Sequence, residues 1–227
     1  MVGGETKKIW IIANWKSNLS LSESLEWVSR VGPKLDKRED VQVVVCPRFS
    51  VLSELKKEIQ TNNYPIILGS QNVSPFGSGS FTGEEPAQLL KELVSFTIIG
   101  HSERRQNFKE TDELVAEKFK QATQAGIEPV VCIQDAGTPI PAGCKVAAYE
   151  PIFAIGTGTP DTPENANKVA LEIKSENPGL AFFYGGSVTS ENCESFINQA
   201  DISGLLIGKA SLNPEEFLKI VENCSTI

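Results

Sequence analysis

The chain has 227 residues, 40% of them hydrophobic and 22% charged, with a formal net charge of −8. That is enough apolar material for one hydrophobic core, and a single domain over 1–227 is expected, since single α/β barrels reach this length. So acidic a balance argues against a nucleic-acid partner, which draws on clustered Lys and Arg, while leaving room for a local basic pocket.

The N-terminal MVGGETKK leads into a short apolar stretch, Ile9 to Ala13, too brief for a signal h-region and far below a membrane span. A cytoplasmic protein without membrane contact is expected. Five cysteines (Cys46, Cys132, Cys144, Cys193, Cys224) form no CxxC pair, and one histidine, His101, adds no metal-ligand spacing. They read as reduced, mostly buried thiols, and no metal is expected. Three Asn-X-Ser sequons, at Asn18, Asn72 and Asn223, imply no glycan without an export signal.

In chain order, apolar or β-branched runs recur at Ile9 to Ala13, Val41 to Cys46, Ile66 to Leu68, Phe96 to Ile99, Val130 to Ile133, Val146 to Tyr149, Leu180 to Tyr184 and Leu205 to Ile207. Continuous rather than alternating apolar character fits strands buried on both faces of a parallel sheet. Helical segments lie between most of them. Ser20-Leu-Ser-Glu23 is a capping box that puts Leu21, Leu25 and Val28 on one face. Pro86 opens Ala87 to Leu93, and Thr162-Pro163 and Asn213-Pro214 are N-cap and N1 pairs. Thr111 starts a helix carrying Leu114, Val115, Phe119 and Ala122, which Gly126 is placed to end.

One crossover breaks the alternation. The ten residues DAGTPIPAGC, Asp135 to Cys144, hold two glycines and two prolines, and no helix is expected there. Eight strands with seven helices make a (β/α)8 barrel whose fifth helix is missing; a doubly wound sheet is the runner-up. Val131, Ile133, Val146 and Ala148 then include outward-pointing members, with Pro139, Ile140 and Pro141 left to shield them.

In such a barrel the reactive groups come from the C-terminal ends of different strands. Those ends hold Asn14-Trp15-Lys16, His101-Ser102-Glu103, Glu150-Pro151, Gly185-Gly186-Ser187 and Gly208-Lys209. Taken singly, Lys16 is an ordinary surface amine, Glu150 a capping acid, His101 a structural imidazole and the glycines turn residues. On one rim, a carboxylate, an imidazole and an ammonium give a base, an electrophile and an anion stabiliser. The glycine turns offer backbone N–H groups to a phosphate. Gly156-Thr157-Gly158-Thr159 fails as a dinucleotide fingerprint, since Asp161 stands at the third glycine position; it reads as a mobile lid hinged at Pro151.

Asn14-Trp15-Lys16, Phe81-Thr82-Gly83-Glu84, Gly100-His101-Ser102-Glu103-Arg104-Arg105, Ala148-Tyr149-Glu150-Pro151, Ala154-Ile155-Gly156-Thr157-Gly158, Tyr184-Gly185-Gly186-Ser187-Val188 and Ala210-Ser211-Leu212 resemble triosephosphate isomerase, in order from Lys8 to about Phe217. The resemblance implies a TIM barrel and, without cofactor, the glycolytic and gluconeogenic interconversion of glyceraldehyde 3-phosphate and dihydroxyacetone phosphate. Glu150 would be the base. His101 and Lys16, helped by Asn14, would polarise the carbonyl and steady the enediolate, with Glu103 orienting Lys16. Gly156, Ser187, Gly208 and Lys209 would hold the phosphate. The resemblance also implies a homodimer through the uncharged loop 71–82, with Phe76 and Thr82 near the partner.

The sequence departs from the family in three places: Lys209 replaces a second glycine, Thr159-Pro160-Asp161 replaces the usual lid hinge, and Cys132-Ile133-Gln134-Asp135 replaces Cys-Ile-Gly-Glu and a long helix. A weakened barrel that binds phosphorylated ligands or a partner is the alternative. A sugar-phosphate epimerase is weaker, since its metal-ligand clusters need more than one histidine.

Overall fold

The computed structural model describes residues 7–154 and 158–225. Eight strands, β1 (Ile9–Asn14), β2 (Val41–Cys46), β3 (Ile66–Ser70), β4 (Phe96–Ile99), β5 (Glu128–Ile133), β6 (Val146–Tyr149), β7 (Ala181–Tyr184) and β8 (Gly204–Ile207), close in sequence order into a barrel. Every pairing is parallel, and β8 closes on β1 from Trp10↔Gly204 to Ala13↔Ile207. The doubly wound alternative is thereby set aside. Around the barrel lie α1 (Leu21–Val31), α2 (Leu52–Asn62), α3 (Ala87–Leu90), α4 (Ser102–Phe108), α5 (Asp112–Ala125), α6 (Pro163–Glu176), α7 (Cys193–Ile197) and α8 (Pro214–Ser225). None of these described helices is long and apolar enough to cross a membrane.

The continuous apolar runs are explained by two cores. Ile12, Val44, Ile98, Val130, Phe183 and Leu206 fill the barrel interior, while Ile11, Val43, Ile99, Val131, Phe182 and Leu205 pack outward under the helices. Most strand residues therefore meet a dry environment whichever way they point.

Local signals act where the sequence puts them. Ser20 and Glu23 form the full capping box, Thr111 and Thr162 cap α5 and α6, and Asn213 Oδ1 accepts the Glu216 N–H at the start of α8. Gly126 ends α5 in the left-handed region at φ 81°. Two expected core positions are corrected: Leu21 is 43% exposed and Leu114 38% exposed, because the inward stripes run through Trp27 and Val28 of α1 and Val115 and Ala122 of α5. The regular part of α3 also ends at Leu90 rather than Leu93.

The sequence predicts seven helices and eight are described, because two helices, α4 and α5, follow β4; none lies between β5 and β6. Thr138 Oγ1 accepts the Gln134 N–H at 3.1 Å, the Thr138 N–H reaches the Asp135 carbonyl at 3.2 Å, and the Cys144 N–H reaches the Pro141 carbonyl at 3.1 Å. These fold the connection into two turns, from which Ala136, Ile140 and Cys144 pack on the outer core. Val131, Ile133 and Ala147 stay fully buried although no helix lies between β5 and β6. Val146 and Ala148, expected among the outward candidates, point into the barrel, and Pro139 is exposed rather than shielding.

Ile140→Ala is expected to destabilise the protein by about 1–2 kcal/mol in denaturant titration, the share of a half-buried aliphatic chain. It should also accelerate amide exchange in β5 and β6 ahead of β1 to β4. An unchanged midpoint would show that the flanking helices, not this loop, cover those strands.

Candidate active site

At the end of β1 the backbone turns sharply so that one lysine faces the barrel mouth. Lys16 has φ 52°, a left-handed conformation that a non-glycine residue holds only when its surroundings enforce it. Two side chains do so: Asn14 Oδ1 accepts the Lys16 N–H at 3.1 Å, and Gln71 Nε2 donates to the carbonyls of Lys16 at 2.7 Å and Cys46 at 2.9 Å. The Lys16 ammonium then reaches Glu103 Oε1 at 2.5 Å.

At the end of β4, Gly100 turns with φ 69°, and a Cβ there would crowd Arg105, Val115 and the Cys132 carbonyl. Its N–H donates to Glu110 Oε1 at 3.0 Å, and its carbonyl accepts from Arg105 Nε at 2.8 Å. Glu110 is itself buried, with Oε2 held by Arg104 at 2.6 Å and Lys118 at 2.5 Å. Burial alone would raise its carboxyl pKa, but these two cations hold it below the usual range. A charge-paired frame thus fixes the residue before His101.

His101 is the N-cap of α4, and its Nδ1 accepts the Glu103 N–H at 3.2 Å. Its Nε2 stands 2.9 Å from Glu150 Oε1, while Glu150 Oε2 accepts the Ser102 N–H at 3.2 Å. Both side chains are almost wholly buried. Burial would raise the Glu150 pKa, but His101 and the Ser102 amide outweigh it and keep the carboxyl ionised, below its ordinary range. For His101, burial disfavours a proton and the Glu150 carboxylate favours one, with a net upward push. The amide bond at Nδ1 opposes that push, because Nδ1 accepts only while it carries no proton. Between the two we hold to the neutral, Nε2–H imidazole that this geometry requires.

Glycines pack directly against these side chains. A Cβ at Gly185 would lie 3.2 Å from Glu150 Cγ, so glycine leaves space for the carboxylate arm. Gly208 has φ −88° and ψ −107°, and its carbonyl accepts from Ser211 N at 2.9 Å and Ser211 Oγ at 2.7 Å. Ser187, at φ 50°, donates through Oγ to the Ala154 carbonyl at 2.7 Å.

These groups surround one cavity of about 580 Å³. Asn14, Lys16, His101, Glu150, Ser187, Gly208 and Lys209 all line it. Glu103 acts from behind, through Lys16, and Gly156 lies outside the described residues. Several supporting residues carry no signal in the sequence alone. Gln71 and Glu110 act across the fold, and the Ser102 amide holds Glu150. Asp161 is held from three sides: its N–H donates to Tyr184 Oη at 2.8 Å, and Oδ2 accepts from Tyr149 Oη at 3.2 Å and Asn165 at 2.8 Å; the expected lid over Gly156 to Thr159 falls partly outside the described residues. The two tyrosines directly precede Gly185 and Glu150, and their contacts to Asp161 exist only in the folded barrel.

The model of the triosephosphate isomerase family matches residues 9–143 and 142–224, dividing within the short β5–β6 connection. Relatives named triosephosphate isomerase include those of Alkaliphilus oremlandii, 39% identical with 95% of this chain and 99% of the relative covered, and of Aquifex aeolicus, 36% identical with 93% and 97% covered. That of Mesomycoplasma hyorhinis is 39% identical, with 94% and 98% covered. With barrel, rim and near full-length matches in agreement, the chain belongs to the triosephosphate isomerase family.

Proposed function

We propose that the protein interconverts D-glyceraldehyde 3-phosphate and dihydroxyacetone phosphate through an enediolate, with Glu150 as the base. The observation that carries this reading is the buried Glu150 carboxylate, held 2.9 Å from the His101 imidazole over a cavity that Lys16 also lines. Glu150 Oε2 accepts the Ser102 amide N–H. Turning to the substrate removes that hydrogen bond while leaving the carboxylate buried, so its basicity rises as it meets the carbon acid. His101 Nε2–H, released from Glu150, faces the carbonyl oxygen with Lys16, helped by Asn14. Together they stabilise the negative oxygen. A neutral imidazole facing an enediolate is the arrangement characteristic of triosephosphate isomerases, here supported by the Glu103 amide on Nδ1. Backbone amides of Ser187, Gly208 and Lys209, with Gly156, would bind the phosphate.

The alternative of a weakened, ligand-binding barrel rests partly on Lys209. Lys209 opens a short 3-10 turn, Lys209–Leu212, without a positive φ, so its backbone has no need of glycine. Glu150→Gln preserves shape and removes the base. Turnover in a coupled assay is expected to fall by about two to four decades with the fold intact; turnover within about tenfold of the parent would contradict the assignment.

We also read the protein as a cytoplasmic homodimer of glycolysis and gluconeogenesis. All five cysteines are free thiols, as in a reducing compartment. In loop 71–82, Phe76 and Phe81 stack face to face at 4.4 Å yet are 45% and 43% exposed, beside exposed Thr82. Covering that pair with a second copy removes it from water. Light scattering at micromolar concentration should return twice the chain mass, and an active monomer would refute the dimer.

A further inference from the structure

We propose that the Lys209 side chain is a specificity-determining cation for a phosphate monoester dianion, adding charge that turn amides alone do not supply. The proposal rests on the functional reading above and assigns the ammonium a role separate from its backbone N–H. Lys209 follows Gly208 in the cavity wall. The position of its backbone is fixed from below: Ser211 bonds twice to the Gly208 carbonyl, and buried Trp27 donates through Nε1 to the Ser211 carbonyl at 2.9 Å. A lysine is therefore presented at the mouth by a rigid turn and stays solvent-exposed, free to follow an incoming anion.

The charges around the cavity make that ammonium consequential. Lys16 is locked to Glu103 at 2.5 Å, and Glu150 is a second carboxylate. His101 is neutral in the geometry described. Without Lys209 the set holds one cation against two carboxylates, and it sits in a chain of net charge −8. Such a site repels a dianion at long range. Lys209 brings the set to balance, and among the described residues no carboxylate pairs with it. A Cβ at Gly208 would lie 3.7 Å from Lys16 Nζ, so the Lys16 ammonium and the turn carrying Lys209 are neighbours. The dianion thus meets one ammonium engaged with Glu103 and a second one unengaged. An unphosphorylated triose has no group to exploit the latter.

The test is titration calorimetry of inorganic phosphate at low ionic strength on the parent, Lys209→Met and Lys209→Arg, beside steady-state kinetics with glyceraldehyde 3-phosphate and with glyceraldehyde. In Lys209→Met, phosphate binding should weaken and KM for the phosphorylated triose should rise, each by about fivefold, the scale of an exposed charge pair. The loss should fall on KM rather than kcat, shrink at high salt, and be restored by Lys209→Arg. The preference for the phosphorylated over the unphosphorylated triose should drop by the same factor. Phosphate affinity and KM within about 1.5-fold of the parent at low salt would overturn the proposal. If phosphate binding weakens while the parent fails to isomerise triose phosphate, the functional reading falls and the Lys209 assignment stands. If the parent isomerises but phosphate binding is indifferent to Lys209→Met, the assignment falls alone.

Discussion

The Glu103 backbone N–H, an otherwise unpaired amide in the first turn of α4, points at Nδ1 of His101 from 3.2 Å. That contact determines which nitrogen of the ring carries its proton, and therefore that Nε2 faces Glu150 and the cavity as a donor. The geometry further requires Gly100 to turn at positive φ so that the helix begins directly behind its own capping residue. Glu110, with Arg104 and Lys118 on its other oxygen, anchors the Gly100 amide from beneath. A histidine in this position is thus oriented by two frames: the dipoles of a short helix and a buried ion-paired carboxylate. Neither frame touches the cavity, yet both set the direction of the one ring that does.

The barrel tolerates losing a helix because the chemistry sits at the C-terminal ends of the strands while helical cover lies over their outer faces. The β5–β6 connection leaves β5 at the rim and runs back to the start of β6 at the opposite end without lining the cavity, and Glu150, just after β6, donates its backbone N–H to the Ile133 carbonyl of β5. Strand pairing from Val130↔Val146 to Ile133↔Tyr149 carries that register directly. The short loop therefore has to supply apolar cover and no geometry. Ile140, Ala136 and Cys144 provide that cover.

Much of this was legible in the sequence, for identifiable reasons. Strands buried on both faces read as continuous apolar runs, capping residues act through neighbours three positions away, and Pro and Gly forbid a helix over Asp135 to Cys144. The same continuity hid the phase of the strands: with both faces dry, nothing local says that Val146 and Ala148 point inward. Helix α4 escaped because SERRQNF is short and polar, with no apolar stripe for periodicity to find. The residues that hold the site in shape were hidden for another reason. Gln71 acts on Lys16 across 55 positions, and Tyr184 on Asp161 across 23, so their roles exist only once the barrel closes.

The orientation of His101 is the feature on which the rest turns, and a single histidine in the chain makes it directly measurable. The decisive measurement is the ¹⁵N spectrum of histidine-labelled protein at mildly alkaline pH. A protonated, pyrrole-type Nε2 and an unprotonated, pyridine-type Nδ1 are the expected result. Two pyrrole-type nitrogens, or the reverse tautomer, would contradict it.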